Sequence, residues 1–176
     1  MKTPRGHDKS RRPHDGPPAA ARVEYQRDPY GGPAKSGAEK PAEPAVCPSC
    51  KAVFRDGRWA WPDVPPTVRS DAPLCPACQR IHDHNPAGEV HISGEFARAH
   101  HDEILARVRH IAERESAERP LIRIMATAEQ NGELRITTTD AHLAHAIGKA
   151  LHDAFKGNLR APWEKEGTLA RVRWER

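Results

Sequence analysis

The sequence predicts an α+β protein whose ordered part begins near residue 47. Three observations carry that expectation. The composition changes there, all four cysteines fall in two close pairs, and beyond residue 88 apolar residues recur first at strand spacing and then at helix spacing, twice over. A length of 176 residues allows one ordinary domain, or a small domain with a tail.

Residues 1–46 hold 8 of the 17 prolines and 5 of the 12 glycines, and no Leu, Ile, Phe or Trp. Such a segment has too little apolar surface to offset the entropy of ordering, so it reads as a disordered tail. It carries 9 Lys/Arg against 6 Asp/Glu, a net +3, while residues 47–176 carry 19 against 18, a net +1. The basic excess is therefore concentrated in the tail, with Lys9, Arg11 and Arg12 close together. A basic disordered arm suits an acidic partner such as RNA, and a merely solubilising tail is the alternative. The first residues form no apolar core of a secretory signal and no run approaches the ~20 apolar residues of a membrane span, which points to a cytoplasmic protein without a membrane partner.

The cysteines form Cys47-Pro48-Ser49-Cys50 and Cys75-Pro76-Ala77-Cys78, with 24 residues between the pairs. Four soft thiolates in two C-x2-C knuckles suit a tetrahedral Zn²⁺ whose coordination is complete and whose role is structural. The separation exceeds the ~15–20 residues usual for such sites, so residues 47–86 read as a zinc ribbon with a long hairpin loop holding Trp59, Trp61, Pro62, Pro65 and Pro66. Two disulfides would require an oxidising compartment. A redox C-x-x-C would open a helix after an apolar strand, and neither pair is expected to do so. His82 and His84 follow the second knuckle and read as surface residues.

Residues 87–176 form the third region. Glu89–Ser93 alternates as a strand and Gly94 ends it. Residues 95–116 follow with Phe96, Ile104, Leu105, Val108, Ile111 and Ala112 on one helical face, and Pro120 closes the segment. Leu121–Thr127 is a second strand, Asn131-Gly132 a hairpin turn, and Leu134–Thr138 a third strand. Thr139 or Asp140 can cap a helix running to Phe155, with Gly157 just past its end. Leu169–Trp174 is the last strand. The order strand, helix, strand, strand, helix, strand is that of a ferredoxin-like βαββαβ domain, an antiparallel sheet with both helices on one face. Strand periodicity then turns Val90, Ile92, Ile122, Ile124, Leu134, Ile136, Ala170, Val172 and Trp174 toward the helices. The other face receives His91, Arg123, Arg135, Arg171 and Arg173.

Four arginines on one face suit phosphate, because each guanidinium donates in pairs. The alternative is that they pair with Glu89, Glu133 or Glu175. No aromatic residue stands on that face to stack bases, so contact with phosphates and with the shape of structured RNA is favoured over single-strand readout. A second reading is a protein-interaction adaptor that grips a partner through the Trp59/Trp61 loop. A third is an enzyme using histidines on the helices, among them His100, His101, His142 and His145, with Asp102 and Glu103 beside the first two. No nucleophile elbow, P-loop, dinucleotide fingerprint or H-E-x-x-H occurs, and no small-molecule substrate is evident, so a non-enzymatic role is expected.

Cys75-Pro76-Ala77-Cys78 followed by Gly88-Glu89-Val90-His91-Ile92-Ser93-Gly94-Glu95-Phe96 resembles the region after the last zinc knuckle in the nonsense-mediated-decay-three family, adaptors for export and assembly of the large ribosomal subunit. Thr137-Thr138-Thr139-Asp140 through His142-Leu143-Ala144 resembles a later strand-to-helix stretch of that family, and short bacterial proteins of unassigned function look similar over residues 47–176. The resemblance implies a zinc ribbon, with Cys47, Cys50, Cys75 and Cys78 as ligands, on an α/β domain facing ribosomal RNA. Family members typically have further C-x2-C pairs and longer ones have added domains, so nuclear export is not implied.

Overall fold

The computed structural model describes residues 41–63, 72–162 and 169–176. Lys9, Arg11 and Arg12, the rest of the tail up to residue 40, and Pro65 and Pro66 lie outside the described residues. The described chain is a mixed α+β structure with two sheets and four helices.

The smaller sheet is antiparallel and follows chain order: β1 (Ala45–Val46), β2 (Val53–Arg55) and β3 (Arg58–Ala60). Asp56 and Gly57 join β2 to β3, both at positive φ, as a tight hairpin turn requires. The Glu43 carboxylate accepts from both of their backbone N–H groups, at 2.9 and 3.1 Å. The smaller sheet thus includes residues ahead of Cys47, with Ala45 and Val46 buried.

The second cysteine pair behaves differently from the expectation. It opens a helix, α1 (Pro76–His82), with Cys75 as N-cap and Pro76 in the first turn, where its missing N–H costs nothing. The second knuckle therefore stands on a helix rather than on a second hairpin of a ribbon.

The larger sheet is built from β4 (Gly88–Ser93), then α2 (Glu95–Ala99), α3 (His101–Glu118), β5 (Ile124–Gln130), β6 (Glu133–Thr138), α4 (Ala141–Phe155), β7 (Asn158–Arg160) and β8 (Ala170–Glu175). The helix expected over 95–116 is two helices, broken at His100, where φ is −115° and ψ is 30°. The second ends where Arg119, the residue before Pro120, turns extended. The strand expected at Leu121 starts at Ile124, after an irregular lead-in. Asp140, not Thr139, caps α4: its carboxylate accepts from His142 N at 2.8 Å and Leu143 N at 3.2 Å.

The strand order is β5-β6-β4-β8-β7, and β4 pairs parallel with β8. The sheet is therefore mixed, not the antiparallel sheet expected of a ferredoxin-like domain. The cause is β7. The chain leaving α4 first runs along the outer edge as β7, reverses, and returns as β8 between β7 and β4. That extra reversal changes the direction of the strand beside β4. Three residues, with only Leu159 apolar, are too few to show a strand by alternation.

One core lies between this sheet and α3 and α4. It joins Val90, Ile92, Leu134, Ile136, Val172 and Trp174 to Ile104, Val108, Leu143, Ile147 and Leu151. The facing expected from strand periodicity holds for these residues. Two glycines permit close approaches. Gly94, at φ 106°, lies where a Cβ would come within 2.2 Å of the Arg176 carbonyl oxygen, and Gly157, at φ 85°, where it would come within 2.7 Å of the Glu175 oxygen. They let the last strand close against the sheet and α4.

Trp174 is fully buried, and its indole N–H donates to the Lys156 carbonyl at 2.7 Å. Trp174→Phe keeps most of the apolar bulk but leaves that carbonyl unpaired, and should cost about 1–3 kcal/mol. Trp174→Ala should cost about 3–5 kcal/mol. Urea denaturation followed by circular dichroism checks the order of the two losses.

Candidate metal centre and basic sheet face

Cys47 and Cys50 flank the turn between β1 and β2, and Cys75 and Cys78 lie one helical turn apart at the start of α1. One ligand atom from each lies within 4.8 Å of all the others. The Cys50 and Cys75 sulfurs are 3.6 Å apart, far beyond the ~2.05 Å of a disulfide, and all four thiols are free. A sulfur tetrahedron around Zn²⁺ with bonds of ~2.3 Å has edges of about 3.8 Å, so the cluster has the size of a four-thiolate metal site. Among the described residues it is the only group of three or more His, Cys, Asp or Glu with metal-holding geometry.

Backbone donors prepare the sulfurs. Cys75 N–H donates to the Cys47 sulfur at 3.3 Å, and Cys78 N–H to the Cys75 sulfur at 3.5 Å. Burial alone would raise the pKa of Cys47, but N–H groups of Cys75, Cys50 and Ser49 outweigh it and hold the thiol down at about 7. Burial pushes Cys75 up, and the like charges of Cys50, Cys78 and Cys47 push it further. Burial also raises Cys50. Four thiolates this close repel one another, and a divalent cation at the centre is the group that reverses the sign of that interaction.

Arg123 belongs to this cluster rather than to the sheet face. It precedes β5, and its guanidinium donates to the sulfurs of Cys75 at 3.3 Å, Cys78 at 3.4 Å and Cys50 at 3.7 Å. Burial would lower its pKa, but Cys78 and the charges of Cys50 and Cys75 raise it. Trp59 and Leu121 pack against the same cysteines. Trp61 is 38% exposed, and its indole N–H donates to the Ser116 carbonyl of α3 at 2.6 Å. Of the tryptophan pair expected to grip a partner, one is thus packed on the cysteines and the other tethered to α3. His82 and His84 are exposed, as expected.

The face of the larger sheet opposite the helices is polar. Strand register sets Arg135, His91, Arg173 and Arg160 side by side across β6, β4, β8 and β7. The adjacent row holds Thr137, Glu89 and Arg171. Arg135, Arg171, Arg173 and Arg160 are all exposed. Arg135 forms an ion pair with Glu89, and the His91 ring meets the Glu133 carboxylate, so part of the expected positive charge is compensated on the face itself. Burial would raise the Glu89 pKa, but the hydrogen bond and charge of Arg135, with His91, hold it below the usual range. Arg160, absent from the sequence reading because β7 was, stands directly opposite Arg173.

His100, His101, His142 and His145 of the helices sit beside acidic groups or one another, with burial and then His142 lowering the pKa of His145. His100 lies 3.3 Å from Glu103 and stacks on Phe96, His101 lies 3.1 Å from Asp102 and 3.7 Å from Glu129, and His142 lies 3.4 Å from Asp140. A cavity of about 150 Å³ beside His101 is lined by Arg98, Glu129, Ile104 and Leu134, about half the volume at which ligand pockets begin. No helix among the described residues is long and apolar enough to cross a membrane.

Zn²⁺ should bind at one ion per chain. Its removal by a chelator should abolish hydrogen-exchange protection in residues 41–60 and 74–82 and leave β4, β6 and β8 protected. Cys75→Ser should reproduce the chelated pattern. Unchanged protection in both cases would remove metal from the fold.

Comparison with models of known protein families, with curated proteins and with solved structures finds no match to this chain.

Proposed function

We propose that this chain is a cytoplasmic, non-enzymatic accessory protein that binds ribosomal or other structured RNA, with a structural zinc ion at Cys47, Cys50, Cys75 and Cys78. The observation that carries the reading is the cross-strand row Arg135–His91–Arg173–Arg160 on the face that no helix covers. Like charges directly opposite each other on paired strands are destabilising. Arg173 and Arg160 are so placed, and neither has a carboxylate within ion-pair distance among the described residues. A phosphate between them relieves that repulsion and receives paired donors from both.

Three strand spacings of ~4.8 Å make the row about 14 Å long, enough to meet more than one phosphate of a folded RNA. Among the described residues the face presents no Phe, Tyr or Trp, and His91 is engaged by Glu133, which favours backbone and shape recognition over base stacking. Lys9, Arg11 and Arg12 of the basic tail add sequence-independent attraction. The resemblance to large-subunit adaptors in the residues around Cys75–Phe96 makes a ribosomal particle the first RNA to try. Arg123 takes no part in this face, because its guanidinium is engaged by the cysteines.

The experiment is co-sedimentation with ribosomal subunits, with and without nuclease and at two salt concentrations, followed by titration of the RNA recovered. Nuclease- and salt-sensitive migration with one subunit supports the reading. Replacing Arg160 and Arg173 with Gln should lower the slope of log affinity against log salt by about one for each lost phosphate contact and leave the fold unchanged. Migration that survives nuclease and salt would transfer the role to a protein partner.

A further inference from the structure

Arg123 is placed with more care than a surface ion pair needs. Its backbone is held on both sides: Arg123 N–H donates to the Thr139 hydroxyl at 2.8 Å, and Thr139 N–H donates to the Arg123 carbonyl at 2.9 Å. The Thr139 hydroxyl in turn donates to the Leu121 carbonyl at 2.7 Å. This clamp fixes the lead-in to β5 and aims the side chain at the cysteines. One guanidinium nitrogen then lies within 3.7 Å of three of the four sulfurs.

We propose that Arg123 is a positioning residue of the metal centre, donating to the ligand sulfurs and clasping the cysteine module to the larger sheet. A divalent ion with four thiolates carries two formal negative charges, and one guanidinium halves them. N–H donors draw electron density from thiolate sulfur, which lowers its tendency to take up a proton or to attack an electrophile. The only sulfur the guanidinium does not reach, that of Cys47, receives the Cys75 N–H instead. Every thiolate of the set thus has a donor from the chain, and three share one that comes from a different module. Loss of Arg123 weakens metal retention and the attachment between the modules together.

The inference rests on the reading of the four thiols as a metal centre, and the test separates the two. The full-length chain, Arg123→Gln and Arg123→Lys are loaded with Zn²⁺, or with Co²⁺ as a spectroscopic probe. Loss of metal to a competing chelator and the energy of the sulfur-to-cobalt charge-transfer band are then measured. Arg123→Gln should weaken metal binding about 10–100-fold, the usual effect of removing a group that orients metal ligands, and should shift the band. Arg123→Lys keeps the charge but loses the planar fork, so it should fall between Gln and the parent. It also decides the matter alone if the Gln variant does not fold. Retention and band position equal to the parent in the folded variants would overturn the role of Arg123 while leaving the metal centre intact. A parent chain that takes up neither ion would overturn both.

Discussion

Four thiols brought within 4.8 Å of one another are the constraint on which the smaller sheet and α1 depend. Beyond them that part buries only a few apolar side chains, among them Val46, Ala52 and Phe54. Its three strands span two or three residues each, and its buried cluster consists of Cys47, Cys75, Ala77 and Cys78, with Cys50, Trp59, Leu74 and Leu121 around it. A sheet this small is marginal in water without further support. A metal ion held by the four thiols would add binding energy that such a small sheet lacks. Such a bound ion would also unite the β1–β2 turn and the start of α1, which are otherwise separated by 24 residues of chain.

The larger sheet follows a different logic. Its core is closed by its own helices, with Trp174, Ile136, Leu143 and Leu151 fully buried, and owes nothing to sulfur. Among the described residues the two parts are joined at several places, and Leu121 packs against the cysteines from the lead-in to β5. Five residues lead from α1 into the central strand β4, Arg123 reaches from the lead-in of β5 to the cysteines, and Trp61 donates to the end of α3. Through β4 and Arg123 the cluster is joined to strands at the centre and at one edge of the sheet. A change at the cysteines therefore reaches the sheet through backbone, through Arg123 and through the apolar contact of Leu121.

What could be read from residues alone followed from how many residues carried each signal. The cysteine set, the core-facing residues of β4, β6 and β8, and α4 with its end at Phe155 each rest on a repeated spacing, and each is found where expected. The mixed topology was not legible, because it turns on β7, whose three residues include a single apolar one. Arg160 was lost with it. Arg123 was misplaced because alternation counts along a strand, and β5 begins only at Ile124, with an irregularity between Ile124 and Ala126. A side chain just outside a strand obeys the local loop, here the Thr139 clamp. The helix at Pro76 was marked by Cys75 and Pro76, an N-cap and first-turn pair that the metal-ligand spacing concealed.

The composition of the uncovered sheet face bears on what kind of partner fits it. A protein interface is centred on apolar and aromatic residues with a polar rim. Here the inner rows are Arg135, His91 and Arg173, and Thr137, Glu89 and Arg171, with no Phe, Tyr, Trp or large aliphatic side chain among them. Burying those groups against another protein would require a matching set of carboxylates, since an unpaired buried charge is costly. A polyanion would need less burial of them, because its phosphates remain partly solvated. Glu89 and Glu133 do not defeat this arrangement. They hold Arg135 and His91 in register and leave the excess charge toward β7 and β8, at the Arg173–Arg160 pair. The face is thus compensated at β6, while toward the outer edge Arg173 and Arg160 stand opposite each other with Glu175 two residues along β8.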